Sequence, residues 1–195
     1  MKLKALLVSI ALAAAPSAMA EGFYGAFDLG QAKAGGACDS VAGVVIASCS
    51  DTDTSYRFAG GYNFSKNFGV EASYADYGKT SASGTFSGVA FTSSGGATAF
   101  QLVGTGALPL GEQFSLTGKA GLAAVNVDVS VTVLGITVPA SASNDNFVWG
   151  IGAQFDVTPS VGIRVNYEDL GTVGDNATTS TVKLSNISAG VVFKF

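Results

Sequence analysis

Eight segments of the sequence alternate large apolar residues with small or polar ones, and this period of two constrains the fold most. In the first segment Phe23, Phe27 and Leu29 share one face, whereas Tyr24 and Asp28 share the other. Successive side chains of a β-strand point to opposite faces, so each segment is typical of a strand with one apolar face. The segments are 22–31, 55–64, 68–74, 100–108, 114–122, 147–155, 161–168 and 185–195. The chain is therefore predicted to be all-β.

The composition of the two faces indicates which of them is the interior. In a soluble barrel or sandwich, large apolar side chains face inward and charges face water. Here the polar face is mostly Gly, Ala, Ser, Thr and Asn, with one or two charges in a strand. That composition is typical of a narrow polar lumen, and rows of Phe, Leu, Val and Ile are typical of a lipid-facing surface.

The connections between these segments alternate in length. Short connections follow residues 64, 108 and 155, whereas long ones cover roughly 32–53, 78–97, 125–146 and 170–181. Transmembrane barrels have short periplasmic turns and long extracellular loops. We therefore predict an eight-stranded antiparallel up-and-down transmembrane β-barrel with four extracellular loops.

Two of the long loops themselves alternate like hairpins. Their turns are predicted near Ser87-Gly88 and Leu134-Gly135. We expect them to extend the wall above the membrane. The alternative is that a hairpin joins the wall and raises the strand count to ten. The second hairpin also offers an apolar contact surface for a host or another cell, made of Val133, Leu134, Ile136 and Val138.

Residues 1–20 have the pattern of a cleaved secretory signal peptide. Lys2 and Lys4 precede an apolar stretch, and Ala18-Met19-Ala20 forms a small-x-small cleavage site. Residues 21–195 are then expected to form one barrel domain. Removing the two lysines from 10 basic residues leaves 8 against 14 acidic ones, a net charge of −6, which argues against a nucleic-acid partner.

The only two cysteines, Cys38 and Cys49, lie in the first long loop. An exported chain meets an oxidising compartment, so we predict that they form a disulfide. A metal site is the alternative, but the sequence has no histidine and only Asp39, Asp51 and Asp53 nearby. We expect no metal and no cofactor.

The last predicted strand ends in an alternating run with Val191, Phe193 and Phe195. A final strand in lipid needs a partner, so we expect it to pair with the first strand and close the barrel. Over residues 21–195 the sequence resembles the eight-stranded outer-membrane β-barrel family of OmpA-type transmembrane domains and opacity-like surface antigens. The segments "FAGGYNFSKNFGVEASYADYGK" and "GIGAQFDVTPSVGIRVNYEDLG" are similar to its strand-turn-strand units.

This resemblance implies a location and a set of partners. It implies the cell outer membrane, with outer-membrane lipid and lipopolysaccharide around the barrel. The run Val191, Phe193 and Phe195 resembles the signal that the outer-membrane barrel assembly machinery recognises. A host or cell-surface ligand is expected at the loops.

The resemblance also implies an ion-pair cluster in the lumen. In OmpA-type barrels a carboxylate meets basic residues there, and the matching positions are Glu71 and Arg164, with Lys119 as a third member. Thr105 and Gln154 stand where the family pattern has a lysine and a second glutamate, so a switchable gate is not carried over. We interpret these charges as satisfying one another in a packed interior.

Two functions remain open. Enzymes with a similar architecture rely on a histidine, which this sequence lacks, so no enzymatic activity is expected. The acidic pair Glu168-Asp169 is interpreted as solvated loop carboxylates rather than a calcium site. We favour a structural or surface-antigen barrel, because eight strands enclose a lumen just wide enough to be filled by side chains. The alternative is a small porin that conducts ions through a polar lumen.

Overall fold

The computed structural model describes residues 21–39, 43–175 and 179–195, and the predicted signal peptide lies outside these residues. No helix in the described ranges is long and apolar enough to cross a membrane. The described residues form nine β-strands. They are β1 (Gly22–Gly35), β2 (Val44–Ser50), β3 (Thr52–Asn63), β4 (Phe68–Phe86), β5 (Val89–Pro109), β6 (Phe114–Val133), β7 (Ile136–Thr158), β8 (Val161–Asp175) and β9 (Ser180–Lys194).

Eight of the strands seen in the described residues form a closed antiparallel ring. β1 pairs with β3 on one side and with β9 on the other. From β9 the pairing runs in the order β8, β7, β6, β5 and β4, and β4 pairs with β3. Phe27, for example, lies opposite Phe58 on one side and Val191 on the other. A closed ring leaves no unpaired strand edge toward lipid. The predicted eight-stranded up-and-down barrel is confirmed.

The strands run well past the predicted segments into what the sequence indicated were long loops. β6 and β7 contain 20 and 23 residues and meet at Leu134 and Gly135, whose φ angles are 51° and 80°. Ser87 and Gly88 join β4 to β5 with φ angles of 50° and 84°. Two positive φ angles are typical of the tight turn that joins antiparallel strands. Both hairpins therefore extend the wall, as expected.

β2 was missed by the sequence analysis. It pairs with the outer end of β4, from Val44 opposite Phe86 to Ser50 opposite Ser81, and lies outside the ring. Its register shifts between Ile46 and Ser48, and such a bulge interrupts the alternation by which strands were recognised.

Apolar side chains cover the outer face of the ring. Aromatic residues lie at two levels of the outer face, and all are exposed except Tyr167, which is half-buried and packs edge-on against Trp149 at 5.9 Å between ring centroids. The exposed ones are Phe64, Phe68, Phe114, Phe155 and Phe193 at one edge and Phe100, Phe147 and Trp149 at the other. Such belts are typical of barrels in lipid.

The lumen has two layers of different chemistry, whereas a uniformly polar lumen was expected. One layer is charged and lies in the half of the barrel near the short turns. The other is apolar, lies toward the hairpins, and contains Tyr77, Val103, Val125, Val148 and Leu170, each at most 4% exposed. Val103 and Val148 lie on the inward face of predicted strands and were overlooked, whereas Val125 and Leu170 lie in segments that had been assigned to loops. On the extended strands these side chains point inward.

Candidate functional site: a charge network in the lumen

Six charged side chains meet inside the barrel, and we call them the lumen charge network. They are Asp28 on β1, Arg57 on β3, Glu71 on β4, Lys119 on β6, and Arg164 and Glu168 on β8. Three are acidic and three are basic, so the formal charges cancel. All six side chains are at most 9% exposed. Ionised groups this deeply buried are stable only when they are paired and hydrogen-bonded.

Asp28 holds the two arginines of the network. Arg164 binds it through two parallel contacts, Nε to Oδ1 and Nη2 to Oδ2, both 2.8 Å long. Arg57 lies directly opposite Asp28 in the strand register and places Nε and Nη2 at 3.0 and 2.9 Å from Oδ2. Bidentate arginine–carboxylate pairs are the strongest and most directional ion pairs in proteins.

The two glutamates complete the network. Glu71 Oε2 accepts a hydrogen bond from Arg164 Nη1 at 2.8 Å, and Glu71 Oε1 lies 3.4 Å from Arg57 Nη1. Glu168 Oε2 lies 2.5 Å from Lys119 Nζ and 3.3 Å from Arg57 Nη1. Arg57 therefore contacts all three carboxylates.

Neutral side chains satisfy the remaining carboxylate oxygens. The Tyr24 hydroxyl donates to Glu71 Oε2 at 3.1 Å, and Asn186 Nδ2 donates to Glu168 Oε1 at 3.2 Å. Ser55 in turn donates to Asn186 Oδ1 at 2.6 Å. Every carboxylate oxygen in the network has a donor, which is the condition for burying charge without a large cost.

Glycines in the wall make room for the long side chains. Gly150 on β7 lies opposite both Lys119 and Glu168 in the register, so the lysine reaches the glutamate across a strand that has no side chain there. A Cβ at Gly150 would lie 2.6 Å from Tyr167 O and 3.0 Å from Lys119 Cε. Glycine is typical where another chain segment approaches this closely.

The structure differs from the sequence analysis in the membership of this cluster. Glu71 and Arg164 are in contact, but Lys119 binds Glu168 instead of Glu71. The interpretation of Glu168 as a solvated loop carboxylate was wrong, because β8 continues to Asp175 and the Glu168 side chain is fully buried. Asp28 and Arg57 were missed, although the alternation placed both on the inward face.

Two cavities lie on either side of the packed interior. One, of about 450 Å³, opens at the short-turn end, and its lining includes Glu71, Lys119 and Arg164 as well as Thr105 and Gln154. The other, of about 260 Å³, lies at the hairpin end and reaches down to Tyr77. The described side chains between them are packed. Gln101, Val103, Val148 and Leu170 are at most 2% exposed.

The remaining predicted sites lie outside the network. Cys38 and Cys49 form the predicted disulfide, which joins the segment after β1 to β2 with a Cα–Cα distance of 5.8 Å. Val191 is half-buried, and Phe193 and Phe195 are 48% and 70% exposed. Their role as an assembly signal stays a prediction. Within the described ranges, no group of three or more His, Cys, Asp or Glu side chains is placed to hold a metal ion.

The closed ring, its lipid-facing belt and its charged interior define the class as an outer-membrane β-barrel. The sequence profile of the family described as "Outer membrane protein beta-barrel domain" matches residues 4–195. The chain belongs to this family and is located in the cell outer membrane. No curated protein sequence matches it.

Several solved barrels share the fold at low sequence identity. Neisserial surface protein A is 19% identical, with a TM-score of 0.54, covering 89% of this chain and 97% of that one. Ail, the attachment invasion locus protein of Yersinia pestis, is 18% identical, with a TM-score of 0.51, and the match covers 89% of this chain and 99% of Ail. OprG of Pseudomonas aeruginosa is 11% identical, with a TM-score of 0.54, and the match covers 90% of this chain and 97% of OprG. These similarities concern the fold alone.

Proposed function

We propose that this protein is a closed outer-membrane barrel with a structural and surface-contact role. The observation that carries the proposal is the packed cross-section of the lumen. The charge network and the apolar layer fill it with side chains that are at most 9% exposed. An ion would have to displace paired charges and then cross an apolar layer, and both steps are costly.

The surface-contact part of the proposal rests on the β6–β7 hairpin. From Leu122, at the outer membrane edge, to Val133 the tilted strand rises about 25 to 30 Å above the lipid. Its tip presents Leu134, Ile136 and Val138, which are 82%, 69% and 62% exposed. An exposed apolar patch rimmed by polar residues is typical of an interaction surface.

The similar structures support a surface role, but the charge of this chain argues for a different ligand. Ail has been solved in complex with the heparin analogue sucrose octasulfate, a polyanion. The present chain has a formal net charge of −4, and Asp128 and Asp145 lie on the extended parts of β6 and β7. We therefore expect contact with an apolar or neutral surface, because like charges repel.

The alternative function is a small porin. The polar cavity of about 450 Å³ at the short-turn end of the barrel favours it. Ions could pass only if the ion pairs of the lumen charge network broke apart. The sequence contains no histidine, and we propose no enzymatic role.

Attachment of cells tests the surface role. Cells that express the protein are compared with cells that express the triple variant Leu134→Ser, Ile136→Ser and Val138→Ser, on a hydrophobic glass surface. A matched control replaces Val45, Phe86 and Val89 by Ser, since these exposed apolar residues lie on β2 and the β4–β5 hairpin. We expect several-fold weaker attachment for the first variant only, at equal surface amounts. Equal attachment of all three strains would contradict a contact role for this hairpin.

A further inference from the structure

The cavity at the hairpin end of the lumen is walled mainly by aliphatic side chains. It has a volume of about 260 Å³. Val127 and Val129 come from β6, Val173 from β8, and Val182 and Leu184 from β9. Val127, Val173 and Leu184 are at most 7% exposed. An aliphatic wall at the mouth of a barrel, next to water, is unfavourable unless something apolar covers it.

The floor and one rim of this cavity are fixed in place. Tyr77 forms the floor, and its hydroxyl accepts a 2.6 Å hydrogen bond from Gln101 Nε2 on the side away from the mouth. Cys49 lies on the rim, where the disulfide to Cys38 ties β2 to the segment after β1. A cavity held by a covalent link and by continuous strands is preorganised, which reduces the entropy that a ligand loses on binding.

Two polar side chains of the rim are held by backbone amides. The Asp53 carboxylate accepts from the backbone amides of Lys79 at 2.7 Å and Thr54 at 2.8 Å, and these amides hold its pKa below the ordinary value. Thr179 Oγ1 accepts from the Asp175 amide at 2.9 Å. The lining also contains the carboxylate of Asp51 and the ammonium group of Lys79, so two negative charges face one positive charge and an anionic ligand gains no net attraction. The rim therefore favours an uncharged ligand.

We propose that this cavity binds a small uncharged apolar molecule from outside the cell. A dry apolar cavity of 150 Å³ holds benzene, so about 260 Å³ corresponds to roughly ten non-hydrogen atoms, the size of a bicyclic aromatic ring system. Binding replaces water on aliphatic side chains with ligand carbon, which is favourable and lowers the heat capacity. The inference goes beyond the proposed function, because a ligand in the outer cavity does not require the lumen to conduct.

The test uses 2-naphthol as the probe and the full-length mature barrel in lipid nanodiscs. Saturation-transfer NMR measures binding, with empty nanodiscs as the control for partition into lipid. Val129→Trp fills the cavity, and Val45→Trp places the same ring on an exposed residue of β2 that does not line it. Naphthalene-2-sulfonate is the matched anionic probe.

We expect saturable binding of 2-naphthol to the wild type and to Val45→Trp. Binding should be at least about tenfold weaker in Val129→Trp, and at least about tenfold weaker for the sulfonate. If Val129→Trp fails to fold, Ala97→Leu fills part of the same cavity and takes its place. The proposal is overturned if the wild type takes up no more probe than empty nanodiscs, if a folded filled variant binds as well as the wild type, or if the sulfonate binds equally well.

Discussion

Arg164 and Asp28 lie 136 residues apart in the sequence and form a two-point ion pair with both contacts at 2.8 Å. They belong to β8 and β1, the two neighbours of β9. Gly190 of β9 lies opposite both residues in the register. The pair therefore passes over a glycine at the point where the barrel closes.

Gly190→Ala should disrupt this pair. A Cβ there would lie 2.3 Å from Asp28 Oδ1 and 2.3 Å from Phe27 O, which is well inside contact distance. We expect the free energy of unfolding to fall by about 1 to 3 kcal/mol. Urea unfolding in detergent micelles measures it. Gly25→Ala is the matched control, because its Cβ would meet nothing closer than 3.9 Å. Similar losses in both variants would show that the effect belongs to the strands and not to the pair.

Asp28→Ala should be more damaging, because it leaves Arg57 and Arg164 buried with too little negative charge. Removing one partner of a buried ion pair costs about 3 to 5 kcal/mol. The control is Asp156→Ala, which breaks a 2.6 Å pair with Lys194 whose two side chains are 27% and 29% exposed. Partly exposed pairs contribute about 1 kcal/mol or less. Equal changes in the free energy of unfolding would mean that water reaches the network.

Double-mutant cycles test which carboxylate Lys119 binds. Lys119→Met and Glu168→Gln, alone and together, should show a coupling energy between about 0.5 and 3 kcal/mol, because the two side chains are in contact. The cycle of Lys119→Met with Glu71→Gln should show a smaller coupling, since no direct contact joins that pair. If the second cycle gave the larger coupling, the contacts within the network would be assigned wrongly.

The disulfide should stabilise the outer end of the barrel and not its wall. Cys38 and Cys49 are 11 positions apart, and closing a loop of that size contributes about 3 kcal/mol in the chain-entropy model. The double variant Cys38→Ser with Cys49→Ser should be cut faster by protease between these positions, while the folded barrel persists in detergent. Thiol labelling of the denatured, unreduced wild type should find no free thiol. Two labelled thiols per chain would refute the disulfide.

The alternation of the sequence was enough to predict the ring of strands and the direction of each side chain. A period of two assigns Asp28, Arg57, Glu71 and Arg164 to the inner face without further information. It does not specify which inward residues lie at the same height. Lys119 meets Glu168 because both lie opposite Gly150, and that relationship depends on the register of three strands.

The alternation predicted that the two hairpins extend the wall, but not which of their side chains face the lumen. Residues 78–97 alternate around the predicted turn near Ser87-Gly88, but they contain many Gly, Ser, Thr and Ala, so their two faces differ too little in hydrophobicity to show which one faces the lumen. Pairing with neighbouring strands extends β4 and β5 through this segment. The apolar outer cavity was missed because Val127, Val173 and Leu184 lie on extensions beyond the eight predicted segments, where inward and outward faces had not been assigned.

Conductance across a planar lipid bilayer tests the central claim, that side chains close the lumen. The purified wild-type barrel should give no discrete current steps above the bare-membrane background, because buried ion pairs and an apolar layer fill its cross-section. A variant that disrupts both layers, Arg57→Ala with Leu170→Ala, should give steps if it remains folded, which shows that the protein inserts and the assay responds. Stable ion-conducting steps from the wild type itself would contradict a closed lumen and favour the small porin.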